Sequence, residues 1–444
     1  MIGRARLAFA VLLGCAACRA PARGVAGAAD APVVPLSAAE QGVVREVDRG
    51  NDEALALLER VVNVNSGTRN LAGVREVGGM FDAELARIGF ATRWVDGAGF
   101  GRAGHLVAER GNARRKIVLI GHLDTVFEPD SPFQRMERVG ASSARGPGII
   151  DMKGGDVIMV AALKALAAAG LLDALHVVVV MTGDEEAPGR PLEVSRAALI
   201  EAAAGAEAAI GLEDGDGKPD HAVTGRRGAS TWKLTVHGTP AHSSQIFRSD
   251  IGYGAGFETA RVLDTFRQKL AGEPHLTFNP ALVLGGTEVQ HDPRTFTGSA
   301  SAKNNVIAEH AVVSGDLRAL TPEQLARARK VMLDATSAPL PGTRSALSFE
   351  DGNPPLAPSE GNARLLALYD GASRALGSGP VTAADPDKAG AADVTFLGGR
   401  VPMILDGIGL RGDGGHTVNE TADLATLPVQ TRRLAIFLHR LGKL

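Results

Sequence analysis

Short, unbroken apolar runs that stop at polar residues constrain the fold of this chain more than any other feature. Residues 117–120 read Ile-Val-Leu-Ile, and a second apolar run follows at 176–181. Runs of this kind are typical of a parallel sheet that is covered on both faces. Between them, residues 154–169 have helical apolar spacing and end at Gly170. The order strand, helix, strand predicts a βαβ unit, and therefore an α/β fold with a mostly parallel sheet covered by helices.

The segments before this unit are predicted to be helical. Asn51 and Asp52 are predicted to cap a first helix, because their side chains can accept hydrogen bonds from its first turn. Residues 74–88 are predicted to form a second helix that ends at Gly89.

The middle of the chain has a different pattern. Residues 231–236 and 312–317 are nearer to apolar and polar alternation, which predicts strands with one face in solvent. Helices are predicted at 251–270 and 322–335. We therefore expect an inserted α+β domain at 225–335, after which the chain returns to the first domain.

The N-terminus has the layout of a secretory signal peptide, with two arginines, an apolar run and small residues. The chain has two cysteines, Cys15 and Cys18, and both lie here, so the remainder uses neither a disulfide nor a cysteine-ligated metal. Leu12-Leu13-Gly14-Cys15 resembles a bacterial lipobox, and cleavage in the stretch to Ala29 is the alternative. We expect export, to the periplasm, the medium or a lipid anchor. The predicted organisation is a signal peptide at 1–18, a linker at 19–36, a first domain in two parts at 37–224 and 336–444, and the insert at 225–335.

Charge and hydropathy exclude two classes of partner. The chain has 47 Lys and Arg against 50 Asp and Glu, a formal net charge of -3, and so lacks the basic footprint of a nucleic-acid-binding protein. Beyond the N-terminus, no stretch is apolar for long enough to span a bilayer, so membrane contact is expected only through a lipid anchor. Small molecules and peptides are the expected partners.

Reactive side chains directly follow the predicted buried strands. In open α/β sheets, sites form at the carboxyl ends of the strands, so segments that are far apart in the chain are expected to meet in one crevice. The residues expected there are His122, Asp124, Asp151, Asp184, Glu185, Glu186, Glu213, Asp214 and His416.

Imidazoles and carboxylates without a thiolate suit Zn²⁺ or a similar divalent ion, and there are too many of them for one catalytic ion. Two ions roughly 3.5 to 4 Å apart, bridged by one carboxylate, fit the set better. One of the adjacent glutamates can then bind metal while its neighbour takes a proton from water. The pattern predicts metal-assisted hydrolysis.

Four ordered segments resemble one family, the dinuclear zinc peptidases that include glutamate carboxypeptidase, acetylornithine deacetylase, succinyl-diaminopimelate desuccinylase and aminoacylase. The resemblance extends from about residue 45 to the C-terminus. The segments are Gly121-His122-Leu123-Asp124-Thr125, the Gly-Pro-Gly to Asp-Met-Lys-Gly-Gly stretch at 146–155, Asp184-Glu185-Glu186, and Gly414-Gly415-His416-Thr417-Val418-Asn419-Glu420.

The resemblance implies two Zn²⁺ per subunit, with cobalt or manganese as substitutes. It places His122, Asp151 and Glu213 around one ion. It places Asp151, as a bridge, with Glu186 and His416 around the other. Glu185 is implied to be the general base, and Asp124 is implied to orient His122. Strand register favours Glu213 over Asp214 as the ligand, and Asp214 stays open as the alternative.

The insert resembles the lid and dimerisation domain of this family, a ferredoxin-like sheet of four strands with two helices. The resemblance implies a homodimer in which His242 reaches the partner's site to polarise the scissile carbonyl. Asn305 and Arg318 are implied to hold substrate, and a guanidinium suits a substrate carboxylate because its fork binds both oxygens. Two positions depart from the pattern. Gly352-Asn353-Pro354 stands where the glutamate carboxypeptidase branch has Gly-Arg-Pro, and Ala308 replaces a proline.

The expected function is that of an exported dizinc hydrolase that cleaves an amide bond next to a free carboxylate, as a carboxypeptidase-like enzyme or an N-acyl amino acid hydrolase. A narrow deacylase of the acetylornithine or succinyl-diaminopimelate type is one alternative, against which the export signal argues. A non-catalytic periplasmic protein with a metal cleft is another, against which the complete set of ligands and base argues.

Overall fold

The computed structural model describes residues 33–293 and 295–444. The predicted signal peptide at 1–18 and most of the linker at 19–36 lie outside the described residues. Within the described part of the chain, no helix combines the length and apolar character needed to cross a bilayer.

The first helix begins earlier than predicted. Ser37 caps it, because the Ser37 hydroxyl accepts the backbone N–H of Glu40 while the Glu40 carboxylate accepts that of Ser37. The predicted cap at Asn51 and Asp52 is therefore wrong, and both residues lie inside the helix. The helices are α1 (Ala38–Val62), α2 (Leu71–Arg87), α3 (Gly154–Ala168), α4 (Leu192–Ser195), α5 (Ala197–Ala202), α6 (Gly254–Leu270), α7 (Pro322–Thr336), α8 (Glu360–Ala375) and α9 (Thr426–Leu441).

The four apolar or alternating runs at 117–120, 176–181, 231–236 and 312–317 lie within β3, β6, β9 and β13, and each of these strands extends beyond its run. In chain order they are β1 (Ala91–Asp96), β2 (Gly104–Arg110), β3 (Lys116–His122), β4 (Glu137–Arg138), β5 (Ser143–Arg145), β6 (His176–Thr182), β7 (Ala208–Gly211), β8 (His221–Ala222), β9 (Gly228–Gly238), β10 (Thr277–Gly286), β11 (Glu288–Asp292), β12 (Thr297–Ser301), β13 (His310–Ala319), β14 (Thr343–Asp351), β15 (Thr382–Ala383), β16 (Met403–Leu405), β17 (Gly412–Asp413) and β18 (Thr421–Asp423).

The central sheet has six strands in the order β1-β2-β6-β3-β7-β16. The four strands β6, β3, β7 and β16 are parallel, while β1 and β2 form an antiparallel edge. The main apolar core packs one face of this sheet against α1, α2, α3 and α9, and a second core covers the other face with α5. Burial on both faces explains why β3 and β6 read as continuous apolar runs. The predicted α/β class is confirmed.

A second sheet, built from the middle of the chain, is antiparallel in the order β10-β13-β9-β14. Helices α6 and α7 pack on it around a separate core that contains Trp232 and Phe266. The chain order β9-α6-β10-β13-α7-β14, together with the strand order, is that of a ferredoxin-like fold. The sheet continues beyond residue 335, where the sequence-based boundary lies, because β14 pairs with β9 from Ser230 to Gly238.

Two connections join the sheets, and they lie side by side. Arg226, just before β9, and Leu356, just after β14, form an antiparallel bridge in which each backbone N–H donates to the other carbonyl at 2.9 Å. Val223 makes a similar bridge with Asp406, directly after β16. The inserted domain therefore leaves and re-enters the larger domain at one place.

Candidate metal centre

The carboxyl ends of the central strands carry the candidate metal ligands. His122 is the last residue of β3, Glu186 lies in the loop after β6, and Glu213 lies just after β7. Asp151 precedes α3, and His416 lies in the connection between β17 and β18. The parallel order of the strands brings these five residues to one edge of the sheet, as predicted for an open α/β fold.

Two histidines face opposite oxygens of one carboxylate. The Nε2 atom of His122 lies 3.1 Å from Asp151 Oδ1, and that of His416 lies 2.8 Å from Asp151 Oδ2. Each imidazole has a second carboxylate beside it: Glu213 Oε1 is 3.5 Å from His122 Nε2, and Glu186 Oε2 is 3.2 Å from His416 Nε2. The five side chains therefore form two overlapping groups that share Asp151.

The donor set fits divalent metal ions. Ligand atoms of His122, Asp151 and Glu186 lie within 4.8 Å of one another. The Oε1 atom of Glu186 is buried without a hydrogen-bond partner among the described residues, which leaves it free for a cation. Imidazole nitrogens and carboxylate oxygens are ligands that zinc and related ions accept, and Asp151 offers one oxygen to each group.

Burial without a cation shifts the acid–base equilibria of the cluster. Desolvation raises the pKa of Glu186 to about 7 and that of Glu213 to about 7. Hydrogen bonds to Asp151 and Glu186 raise the pKa of His416 to about 11. Burial acts to raise the pKa of Asp151, but the hydrogen bonds from both histidines outweigh it and hold that pKa below its ordinary value. Protons thus occupy the places that cations would take, and metal binding must release them.

The tautomer of His122 suits a metal ligand. Its Nδ1 atom lies 3.0 Å from the backbone carbonyl oxygen of Asp124, and because a carbonyl only accepts, Nδ1 carries the hydrogen. When His122 is neutral, its Nε2 lone pair therefore faces Asp151 and Glu213.

The Asp124 carboxylate organises the loop that carries the candidate base. Its Oδ1 accepts the backbone N–H of Glu185 at 3.0 Å, and its Oδ2 accepts that of Glu186 at 3.1 Å and the hydroxyl of Thr68 at 2.7 Å. The same carboxylate lies 3.6 Å from His122 Nδ1, so the contact with His122 comes from the Asp124 backbone instead. Burial raises the pKa of the Glu185 carboxyl well above its ordinary value.

A buried arginine, to which the sequence analysis assigned no role, fixes the same loop. Arg196 Nη1 donates to Asp184 Oδ1 at 2.6 Å, and Arg196 Nε lies 2.8 Å from Asp393 Oδ1. Asp393 also accepts the hydroxyl of Thr182, the last residue of β6. The Asp-Glu-Glu segment is therefore held at Asp184 by charge pairing and at the next two residues by Asp124.

Glu420 is a second residue whose function the sequence analysis did not assign. Its Oε2 accepts the backbone N–H of Gly148 at 2.9 Å, and its Oε1 accepts those of Ile150 at 2.9 Å and Asp151 at 3.2 Å. The only signal in the sequence is its place in the motif that also contains His416. Glu420 thereby joins the segment of one metal ligand to the segment of another.

The structure separates the two acidic candidates after β7. Glu213 lies beside His122, whereas Asp214 makes no ion pair with either candidate histidine among the described residues. Burial raises the pKa of Asp214 to about 7, and its backbone carbonyl accepts a hydrogen bond from Arg411. The geometry favours Glu213 as the ligand.

The three candidate residues of the inserted domain, His242, Asn305 and Arg318, make their contacts within that domain. The backbone N–H of Ser244 donates to His242 Nδ1 at 3.2 Å, so a neutral His242 carries its hydrogen on Nε2. His242 is exposed and bridges to Val306, and the Asn305 carbonyl accepts the N–H of Ser243, which places Asn305 beside the His242 loop. Arg318, on β13, pairs with Asp316 at 2.9 Å and is half-exposed. In the described residues, none of the three hydrogen-bonds to the metal cluster.

The chain is similar in sequence to known proteins over most of its length. Residues 118–440 match the model of peptidase family M20/M25/M40. Carboxypeptidase G2 of Pseudomonas sp. (strain RS-16) is 25% identical over 392 residues, which cover 87% of this chain and 88% of that protein. Succinyl-diaminopimelate desuccinylase of Halorhodospira halophila is 34% identical over 179 residues, 37% of this chain and 45% of that protein.

Solved structures show the same fold. The YXEP protein of Bacillus subtilis, described as a dinuclear metal-binding peptidase of family M20, superimposes with a TM-score of 0.62 at 13% identity. The match covers 89% of this chain and 99% of that one. At this identity the likeness establishes the fold alone.

Proposed function

Because the chain belongs to peptidase family M20/M25/M40, whose members are dinuclear metallohydrolases of peptide and amide bonds, we propose that it releases an amino acid with a free carboxylate from a small peptide or N-acyl amino acid. The family relationship confirms the resemblance predicted from the sequence. The family relationship does not specify a free carboxylate on the substrate, zinc as the metal or the role of each residue, and these three points are proposed here.

The observation that carries the proposal is the pair of histidines on opposite oxygens of Asp151. His122, Asp151 and Glu213 would hold one ion, and Asp151, Glu186 and His416 the other. Zinc suits this set because it accepts both imidazole and carboxylate in low-coordinate sites. When bound, such a pair of ions polarises a carbonyl and lowers the pKa of water toward neutrality.

Glu185 is the proposed general base. It lies between Asp184, which Arg196 holds, and Glu186, a proposed ligand, and its backbone N–H is bonded to Asp124. A carboxylate held next to the ligand set can take a proton from the attacking water and deliver it to the leaving amine. Burial raises the pKa of Glu185 well above its ordinary value, which supports a role in which the carboxyl holds a proton between the two transfers.

His242 is proposed to complete the site of a partner subunit in a homodimer. Its Nε2 carries a hydrogen and the ring is exposed, as a donor to a substrate carbonyl requires. Asn305 lies beside the same loop and is proposed to contact substrate with it. Arg318 is half-exposed and is proposed to bind the substrate carboxylate, for which it would exchange its pairing with Asp316.

The test is to measure metal content and hydrolysis on one preparation of the chain. We expect about two zinc ions per chain and chelator-sensitive release of free amino acids. A panel of dipeptides and N-acyl amino acids ranks carboxypeptidase activity against deacylation. Peptide amides without a free carboxylate serve as controls and should not be cleaved. Two ions with substrate binding but no cleavage would instead support a binding protein, and no bound metal would contradict the proposed centre.

We also propose export, for which the N-terminal arginines, apolar run and small residues are the support. The test is fractionation of cells that express the full chain, with mass spectrometry of its N-terminus. A lipid on Cys15 that is absent from a Cys15→Ser variant would identify a lipoprotein. An intact Met1 in the cytoplasm would contradict export.

A further inference from the structure

The connection between the two domains carries a side chain that is enclosed in the larger domain. Arg226 lies directly before the half-buried Arg227 and is only 2% exposed. Its Nε donates to Asp406 Oδ2 at 2.7 Å, and its Nη1 donates to the carbonyl of Gly390 at 2.6 Å. A residue of the connection is thus anchored in the larger domain by a buried ion pair.

Asp406 links this guanidinium to a proposed metal ligand. It follows β16 directly and is fully buried. Its Oδ1 accepts the backbone N–H of Glu213 at 3.3 Å and that of Gly407 at 2.7 Å, while its Oδ2 is held by Arg226. The backbone that positions Glu213 and the connection to the inserted domain therefore share one carboxylate.

The backbone of Arg226 is tied to the second connection as well. It exchanges two hydrogen bonds of 2.9 Å with Leu356. A change in the orientation of the inserted domain would be transmitted to the larger domain through these paired connections, which include the backbone of Arg226. Because a buried ion pair tolerates little separation, Asp406 and the Glu213 backbone must follow or the pair must break.

We propose that Arg226 is a positioning residue that couples the orientation of the inserted domain to the geometry of Glu213 through Asp406. The inference rests on the proposed role of Glu213 as a metal ligand. Linkage makes the coupling reciprocal: the domain orientation changes the affinity of the ion that Glu213 binds, and that ion changes the preferred orientation to the same extent.

Metal affinity gives the first test. The metal-free full chain is titrated with Co²⁺ alone, and the visible absorption reports each ion. For Arg226→Gln we expect one of two ions to bind about 10- to 100-fold more weakly, as for other residues that support metal ligands. Arg227→Gln is the matched control. It removes the same charge from the next position, where the side chain contacts Asp387 and Thr277, and should leave both affinities unchanged.

Hydrogen exchange at the connections gives a test that a purely structural role would not satisfy. In the wild type and in Arg227→Gln, Co²⁺ should slow exchange of the backbone amides of Arg226 and Leu356, although neither residue is a ligand. In Arg226→Gln this response should disappear, while the amide of Asp151, which Glu420 holds, should still respond.

Two further variants keep the test decisive if Arg226→Gln does not fold. Arg226→Lys retains the charge toward Asp406 but cannot reproduce the fork to Gly390, and should restore part of the affinity. Asp406→Asn retains an acceptor for Glu213 but ends the ion pair, and should lower the affinity for the same ion.

Wild-type Co²⁺ affinities and wild-type exchange responses in the folded variants would overturn the proposal. A Glu213→Gln variant separates the two claims, because unchanged metal binding there would refute the ligand assignment itself.

Discussion

Glu420 accepts the backbone N–H of Asp151 at 3.2 Å across 269 residues of chain. The same carboxylate accepts two more amides of the turn that precedes α3, so three donors converge on it. Burial nevertheless raises the pKa of Glu420 to about 7, and the negative charge of the neighbouring Asp151 acts in the same direction. Glu420 thus holds the proposed bridging ligand, Asp151, by its backbone, and places another carboxyl close to the candidate metal centre.

We expect Glu420→Gln to weaken metal binding. In the Gln side chain an NH2 group replaces one of the two accepting oxygens. At least one buried backbone N–H would then lose its acceptor, which costs about 1–3 kcal/mol. We predict a lower free energy of unfolding by that amount and about 10-fold weaker binding of at least one ion. Urea denaturation and Zn²⁺ titration measure the two effects. Glu76→Gln, an exposed change on α2, is the control, and equal behaviour of both variants would refute the role of Glu420.

Glu185→Gln should separate metal binding from turnover. The amide cannot accept the proton of the attacking water, so we expect kcat to fall about 100- to 10,000-fold while about two ions remain bound. Metal analysis and steady-state kinetics on one preparation measure both. Glu193→Gln, an exposed change in α4, should retain full activity. Undiminished kcat in Glu185→Gln would reject Glu185 as the base.

Complementation between two inactive variants tests the proposed role of His242. His242→Ala and Glu185→Gln homodimers should each be nearly inactive. A mixed dimer contains one site with both Glu185 and the partner's His242, so random exchange of equal amounts should restore about a quarter of wild-type activity. Activity assays after subunit exchange give the answer. Persistent inactivity of the verified mixed dimers, or full activity of His242→Ala alone, would contradict a site shared between subunits.

The metal-free chain should lose stability as the pH rises from 5 to 7. Folding raises the pKa of Glu186 and Glu213 to about 7, above their unfolded values. The folded state therefore binds more protons than the unfolded state in this interval, and the free energy of unfolding falls as those protons leave. We expect a loss on the order of 1–3 kcal/mol.

Urea denaturation of the chelated chain at several pH values measures this loss. The zinc-loaded chain provides the contrast, because deprotonated ligands bind metal more tightly and its stability should rise over the same interval. A chelated chain whose stability increased from pH 5 to 7 would show that the cluster carboxyls are not protonated together in the folded state.

The strand ends were predictable because burial leaves a clear trace in the sequence. His122 follows four apolar residues of β3, and a parallel sheet covered on both faces requires such runs. The start of α1 was not predicted correctly. The polar pair at Asn51 and Asp52 resembles a cap, but Val43 and Val47 extend the buried face toward Ser37, where the capping box forms. Packing along the whole helix outweighed the local capping preference of Asn51 and Asp52.

The supporting contacts of the site depend on tertiary structure and have no local signal. Arg226 and Asp406 are 180 positions apart, and Arg196 and Asp393 come from distant parts of the chain. Each is an unremarkable charged residue in the sequence, and each becomes significant only because its partner is buried beside it. Motifs identified the residues proposed to bind metal and the supporting Asp124, but not Arg196, Arg226 or Asp406.

The bridge between Arg226 and Leu356 also bears on how such a chain can be shortened. Since the inserted domain starts and finishes at adjacent backbone positions, a very short turn could close the gap if the whole insert were excised. The central sheet would keep its strand order, as none of its six strands comes from the insert. Excision between Arg226 and Leu356 would leave all five proposed metal ligands in the remaining chain, because each of them lies outside the insert.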